Sequence, residues 1–133
     1  MIDISSEVFN IVATMLRTEF EGIHVIGENT SLPSKFPCVT IEETKNIPVE
    51  RDSGNTVKWA ELQYTTKIFS NKSTGKRIEA RQIHEKINDL LTSYGMKQTS
   101  YYVKSDMYQD DIYQISVNYR CVVDTLGRIK GGK

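Results

Sequence analysis

The sequence contains little that would crosslink the chain, hold a metal or anchor it in a membrane. Its 133 residues include only two cysteines, Cys38 and Cys121, which cannot build a disulfide framework and which favour a reducing compartment. No run of about 18 apolar residues is present, so no segment is predicted to span a membrane. The first residues lack a basic region followed by an apolar one, so we expect no signal peptide.

The chain also lacks an excess of charge of either sign. Its 17 basic residues balance 17 acidic residues, so no global field draws it towards nucleic acid or anionic lipid. Hydrophobic residues make up 38% of the chain and charged residues 26%, which is typical of a globular protein. The length predicts one domain. We expect that domain over residues 1–124, followed by a flexible basic tail over 125–133.

The hydrophobic periodicity predicts two helices and five strands in the order α-β-β-β-α-β-β. Ser5 or Ser6 is the expected cap of the first helix, and Ser73 or Thr74 that of the second. Residues 45–56, which contain proline, glycine and several charges, are predicted to form a long hairpin arm. The helices are expected over 5–20 and 75–93, and the strands over 23–26, 38–44, 57–70, 97–108 and 112–124.

The predicted strands are apolar on one face only, which indicates how the elements pack. Two helices are available to cover that face. The sequence therefore predicts a two-layer α+β fold, with a mostly antiparallel sheet of four to five strands and two helices on one face. Tyr113 and Tyr119 are in phase with the apolar residues of the last strand, so we expect them in the core rather than on a surface that stacks nucleobases.

No pattern of residues points to catalysis or to a metal site. His24 and His84 have no cysteine or histidine neighbour at ligand spacing. The segment NKSTGKRIE resembles a phosphate-binding loop only superficially, because Ser70 and Arg77 stand where that motif requires glycine and a hydroxyl residue. No nucleophile elbow occurs. We therefore predict a protein without enzymatic activity, cofactor or metal.

The first helix has an apolar arc of about 180°, wider than packing on one sheet requires. Phe9, Leu16 and Phe20 lie on its far flank. Two interpretations remain open: contact with the loop over residues 27–37, or contact with a neighbouring subunit. The arm is a second candidate for such contact, because long loops in small domains are often functional.

Three segments give the chain a resemblance to a known family: WAELQYTTKIFS, GKRIEARQIHEKINDLL and ISVNYRCVVD. Together with the N-terminal amphipathic helix, this layout resembles the tail terminator, or tail completion, proteins of long-tailed bacteriophages. The resemblance implies an α+β protein that forms a hexameric ring. Such a ring caps the tail tube, ends its polymerisation and joins the tail to the head. It also implies a place in the virion tail, after assembly in the host cytoplasm.

The resemblance further implies the partners, and by analogy it implies that the first helix or the arm touches neighbouring subunits, although no single contact residue is carried over from the family. The partners would be further copies of the chain, the tail tube protein, the head–tail connector or stopper protein and, in contractile tails, the sheath. DNA would pass through the lumen only in transit, and no cofactor is implied. The expected subunit interface comprises Phe9, Leu16, Phe20, Pro48, Val49 and Arg51, and the basic residues that could face the lumen are Lys76, Arg77, Arg128 and Lys130.

Other functions are compatible with the same residues. The chain could be a different neck or tail component, such as a head–tail connector or minor tail protein. It could also be a nucleic-acid-binding α+β module, which would bind single-stranded DNA or RNA in a salt-dependent way. A small-molecule enzyme would require a pocket with perturbed titrating groups.

Overall fold

The computed structural model describes residues 2–27, 33, 35–51, 57–107 and 112–130. Side chains are described for all of these except residues 49–51, 57–58 and 105–107. These parts contain two helices and five strands in the predicted order. The helices are α1 (Ser5–Glu19) and α2 (Lys76–Ser93), and the strands are β1 (His24–Ile26), β2 (Cys38–Arg51), β3 (Val57–Ser70), β4 (Lys97–Met107) and β5 (Ile112–Asp124).

The five strands form one sheet in the order β1-β2-β3-β5-β4. β1 pairs with β2 in parallel, and the other three pairings are antiparallel. The mostly antiparallel α+β fold predicted from the sequence is therefore confirmed. Strands β2 and β3 pair from Cys38 opposite Phe69 to Arg51 opposite Val57, so they form one long hairpin.

The predicted arm proves to be mostly regular strand. We expected the second strand to end at residue 44, but β2 continues to Arg51. The predicted bound was wrong because Pro48, Gly54 and the charges of residues 45–56 indicated an arm beyond the strand. The register of β2 against β3 shifts between Glu43 and Lys45 and again between Pro48 and Glu50. Such bulges let a strand accommodate a proline. Residues 52–56 of the arm lie outside the described residues.

The core lies between one face of the sheet and the two helices. Alternate residues of β3 from Ala60 to Ile68 are buried, as the sequence predicted. Tyr113 and Tyr119 are buried on the same side of β5, so their expected place in the core is confirmed. Both helices contribute to this single hydrophobic cluster through their buried residues, which include Val12, Leu16, Ile83, Ile87 and Leu91.

The opposite face of the sheet, called here the outer face, is buried only at one end. Cys38, Phe69 and Ile112 form a small cluster there, and Ile26 and Phe36 pack against it. The chain covers this end of the face itself, so Phe69 is part of a second, smaller core.

The helices begin without the predicted serine or threonine caps. At α1, the Oδ1 atom of Asp3 accepts hydrogen bonds from the Ser5 N–H at 2.9 Å and from the Ser5 hydroxyl at 2.6 Å. At α2, the chain enters the helix through Gly75, whose φ is 86°. This left-handed conformation is accessible to glycine at little cost. The Gly75 carbonyl then accepts the Glu79 N–H at 2.9 Å.

Residues 125–130 fold back onto the sheet. The Asp124 carboxylate accepts the N–H groups of Leu126 and Arg128, each at 2.9 Å. The Lys130 N–H donates to the Val122 carbonyl at 2.8 Å, and Ile129 packs at the margin of the core. The flexible tail expected from residue 125 is therefore an ordered turn as far as residue 130, and residues 131–133 lie outside the described residues.

Candidate subunit interface

The apolar flank of α1 packs largely against other residues of the same chain. Leu16 is fully buried, so it has no surface to offer a neighbouring subunit, and its expected role in an interface is corrected. Phe9 and Phe20 are half-buried and pack against the core. A Cβ atom placed on Gly27 would lie 3.5 Å from the Phe9 ring, so Phe9 covers the start of the loop that follows β1. Contact with the loop over residues 27–37 is seen for Phe9, which meets Gly27, whereas Leu16 is buried in the main core.

The arm residues expected at the interface belong to the far half of β2. Pro48 is exposed and lies opposite Ala60 of β3. Val49 and Arg51 are strand residues whose side chains lie outside the described part of the structure. The structure therefore places this segment on the edge of a sheet rather than in a separate loop.

The basic residues expected near a lumen do not form one patch. Lys76 and Arg77 begin α2, whereas Lys130 lines a groove with Thr92 at the other end of that helix. Sixteen helical residues separate Lys76 from Thr92, which is about 24 Å. Arg128 is engaged locally, because its Nε donates to Oδ2 of Asp124 at 2.8 Å. The two pairs therefore lie near opposite ends of α2.

A different set of cations lies on the outer face of the sheet. The strand register puts Arg120 of β5 between Gln63 of β3 and Lys97 of β4. Arg120 donates to Oε1 of Glu61 at 2.6 Å, and this contact raises the pKa of Arg120 and lowers that of Glu61. The other basic residues of this face are Lys45, Lys67 and Lys104, and sequence spacing gave no sign that they share a surface with Arg120.

Polar side chains link the strands across the middle of the outer face. Gln63 donates to the Thr44 hydroxyl at 3.0 Å, and the Thr44 and Thr65 hydroxyls lie 3.1 Å apart. Thr65 then donates to Oδ1 of Asn118 at 2.7 Å. These contacts run from β2 to β5. They satisfy polar groups at the surface, as expected where one face of an antiparallel sheet meets water.

An open groove of about 510 Å³ lies between the first two turns of helix α1 and residues 41–43 of strand β2. At its floor, the Tyr64 hydroxyl donates to Oε1 of Glu43 at 3.4 Å. Burial raises the pKa of Glu43, although hydrogen bonds from Asn46 and Tyr64 oppose the rise. Within the described part of the chain no histidine lines this groove.

The two thiols are unsuited to chemistry at neutral pH. Burial raises the pKa of both Cys38 and Cys121 to about 11, so both are protonated. They also lie on opposite faces of the sheet, because Cys38 belongs to the outer cluster and Cys121 to the main core. Across the described residues, no three histidine, cysteine or acidic side chains cluster as metal ligands. Neither described helix is long and apolar enough to cross a membrane.

The two edges of the sheet are formed by β1 with β2 and by β4. At one edge, β4 exposes three consecutive large side chains, with Tyr101 36%, Tyr102 64% and Val103 46% accessible. At the other edge, β1 covers only the first three residues of β2, Cys38–Thr40. Periodicity could not find these edges, because strand order is a long-range property.

Comparison with known proteins adds no relative: no protein family model matches the chain, and no curated protein is significantly similar to it.

Proposed function

We propose that this protein is a structural component of a phage tail, of the tail-terminator type. Copies of the chain assemble into a ring that caps the head-proximal end of the tail tube. The ring ends polymerisation of the tube and offers a surface to the head–tail connector. Its place is therefore in the virion tail.

The observation that carries the proposal is the layout of the fold. The resemblance comprises an N-terminal amphipathic helix, a strand pair with a long polar loop, the long strand WAELQYTTKIFS, a turn leading into a second helix, and a closing hairpin. The chain has these elements as α1, β2–β3, α2 and β4–β5, in that order. This agreement supports the proposal at the level of the fold; the function itself rests on the sequence resemblance.

The surface chemistry is compatible with assembly from identical subunits. A ring requires a heterologous contact, in which one surface of a subunit binds a different surface of the next. Balanced charge allows such copies to approach without strong repulsion. The sheet supplies two unlike surfaces, since its two edges are formed by β1–β2 and by β4.

Control of tube length tests the proposal directly. A tail tube protein from the same genome is polymerised with and without the purified chain, and tube lengths are measured by electron microscopy. We expect shorter tubes that carry a ring at one end. An unchanged length distribution with bare ends, at an excess of the chain, would overturn the proposal. Binding to the connector but not to the tube would instead assign the chain to another part of the neck.

The outer face supports a second candidate, a nucleic-acid-binding module. Its register positions carry five cations, Lys45, Lys67, Lys97, Lys104 and Arg120, against four acidic residues, Glu42, Glu50, Glu61 and Asp124. A module of this kind binds DNA or RNA with an affinity that falls steeply as salt concentration rises. Fluorescence anisotropy with labelled oligonucleotides at several salt concentrations tests this candidate. Loss of binding on Arg120→Gln, with retention in Arg81→Gln on α2, would favour it.

A further inference from the structure

We propose that strand β4 of one subunit pairs with the open edge of β2 in a second copy of this chain. The sheet then continues from subunit to subunit in one direction. This contact deepens the proposed function, on which the closure into a ring rests. The strand pairing itself requires only a second copy.

Strand β4 has the properties of an edge that must be covered. Among the described residues it pairs with β5 alone, so about half of the backbone N–H and C=O groups of Lys97–Met107 point away from the sheet. Tyr102 and Val103 are exposed on its two faces. A long edge strand with exposed apolar side chains is a template for pairing with another chain.

Strand β2 offers the complementary edge. Its pairing with β1 ends at Thr40, and no other described strand pairs with that side of β2 from Ile41 to Arg51. The open stretch is therefore as long as β4 itself. Ile47 is 50% exposed there, on the outer face that also carries Tyr102. Residues 45–51 of this stretch belong to the arm that the sequence analysis named as a candidate for contact with a neighbouring subunit.

The strand directions favour this pairing. Antiparallel pairing of β2 with β3, β3 with β5, and β5 with β4 makes β4 run opposite to β2. Joining the β4 edge of one copy to the β2 edge of the next therefore creates an antiparallel pair, the commoner arrangement in sheets. The unlike edges also make the contact heterologous, which is the kind that can close into a ring.

The position of β1 limits how the two edges can meet. Because β1 blocks β2 as far as Thr40, β4 of the neighbour must be shifted towards the hairpin end of β2. A shift repeated at every contact tilts the strands relative to the ring axis, as it does in closed sheets.

Cysteine crosslinking tests the pairing in the full chain. The variants Tyr102→Cys and Ile47→Cys are prepared separately, mixed, and treated with a short bismaleimide that tolerates small differences of register. The native Cys38 and Cys121 are buried and remain unreactive. We expect covalent dimers in the mixture and none in either variant alone. The matched control mixes Tyr102→Cys with Ile78→Cys, whose site on α2 is 58% exposed, and should yield no dimer.

Each result bears on the proposal. Crosslinking of Tyr102→Cys to itself would show symmetric pairing of two β4 strands and would overturn the head-to-tail contact. Absence of dimers in the mixture would overturn it as well. Dimers in the mixture, combined with no effect of the chain on tube length, would uphold the strand pairing and reject the tail function.

Discussion

The Tyr101 ring on β4 stands edge-on to the His84 imidazole on α2, with ring centroids 5.1 Å apart. This contact ties the exposed edge strand to the helix that covers the sheet. The Nδ1 atom of His84 is buried and has no hydrogen-bond partner among the described residues. Burial lowers the pKa of His84, and Arg81 adds to that effect, whereas Gln98 and Glu85 oppose it. The folded chain therefore favours the neutral imidazole.

The lowered pKa of His84 predicts a loss of stability in mild acid. In the unfolded chain His84 binds a proton as the pH falls through its ordinary pKa of 6.5, whereas in the folded chain it binds that proton only at lower pH. The free energy of unfolding should therefore decrease as the pH falls from 7.5 through 6.5 towards 5. Urea unfolding of the wild type and of His84→Gln at several pH values measures this. The variant should lose less stability over that range, and parallel pH profiles would contradict the assignment.

Leu16→Ala should destabilise the isolated chain. Leu16 is fully buried, and truncation of such a residue to alanine costs about 2–5 kcal/mol through lost contacts and a cavity. Arg17→Ala at the exposed neighbouring position is the matched control and should change the free energy of unfolding by less than about 0.5 kcal/mol. If Leu16→Ala weakened assembly while leaving the unfolding of single chains unchanged, the original assignment of Leu16 to an interface would be restored.

Tyr119→Phe tests the buried contact between β5 and α2. The Tyr119 hydroxyl donates to Oδ1 of Asn88 at 3.1 Å, and the Tyr119 side chain is fully buried. Removing the hydroxyl should lower the free energy of unfolding by about 1 kcal/mol, the usual net value of such a hydrogen bond. Tyr102→Phe removes the same group from an exposed side chain and should leave the stability of the chain unchanged. Equal effects of the two variants in chemical denaturation would contradict this account.

Gly75→Ala isolates the cost of backbone conformation at the start of α2. Gly75 has a φ of 86°, and a Cβ atom placed there would meet nothing within 4 Å. The substitution should therefore cost about 1–2 kcal/mol through backbone strain alone. Gly75→Asn should cost less, because asparagine tolerates the left-handed region better than alanine. Thermal unfolding of the two variants gives the comparison, and an alanine variant at least as stable as the asparagine variant would rule out strain as the cause.

Local periodicity predicted most of the fold because β3 and most of β5 alternate between two environments. The bounds predicted for β5 match the structure, and both of its core tyrosines are assigned correctly. The ends of α1 and α2 were less predictable. Asp3 and Gly75 stand at the helix starts where serine or threonine caps were expected. The positive φ of Gly75 cannot be predicted from the sequence beyond the presence of a glycine.

The candidate surfaces were less predictable because they depend on contacts distant in sequence. The wide apolar arc of α1 arises because that helix and the residues just before it meet several parts of the chain. Phe9 lies against Gly27, and Ile4, beside the helix, lies against Gly127. Similarly, Lys76 and Lys130 were both expected near a lumen because they are basic, but they lie near opposite ends of α2. Only the order of the strands shows which two edges are open.

The mass of the assembled protein tests most directly the claim that the chain works as a ring of identical copies. Size-exclusion chromatography with light scattering measures it for the wild type, for the double variant Tyr102→Lys/Val103→Lys and for the control Ile78→Lys. The account predicts a closed assembly for the wild type and the control, with six chains of 15.2 kDa as implied by the resemblance. The edge variant should elute as single chains. A wild type that elutes as single chains at every concentration, alone or with tube protein, would contradict the account.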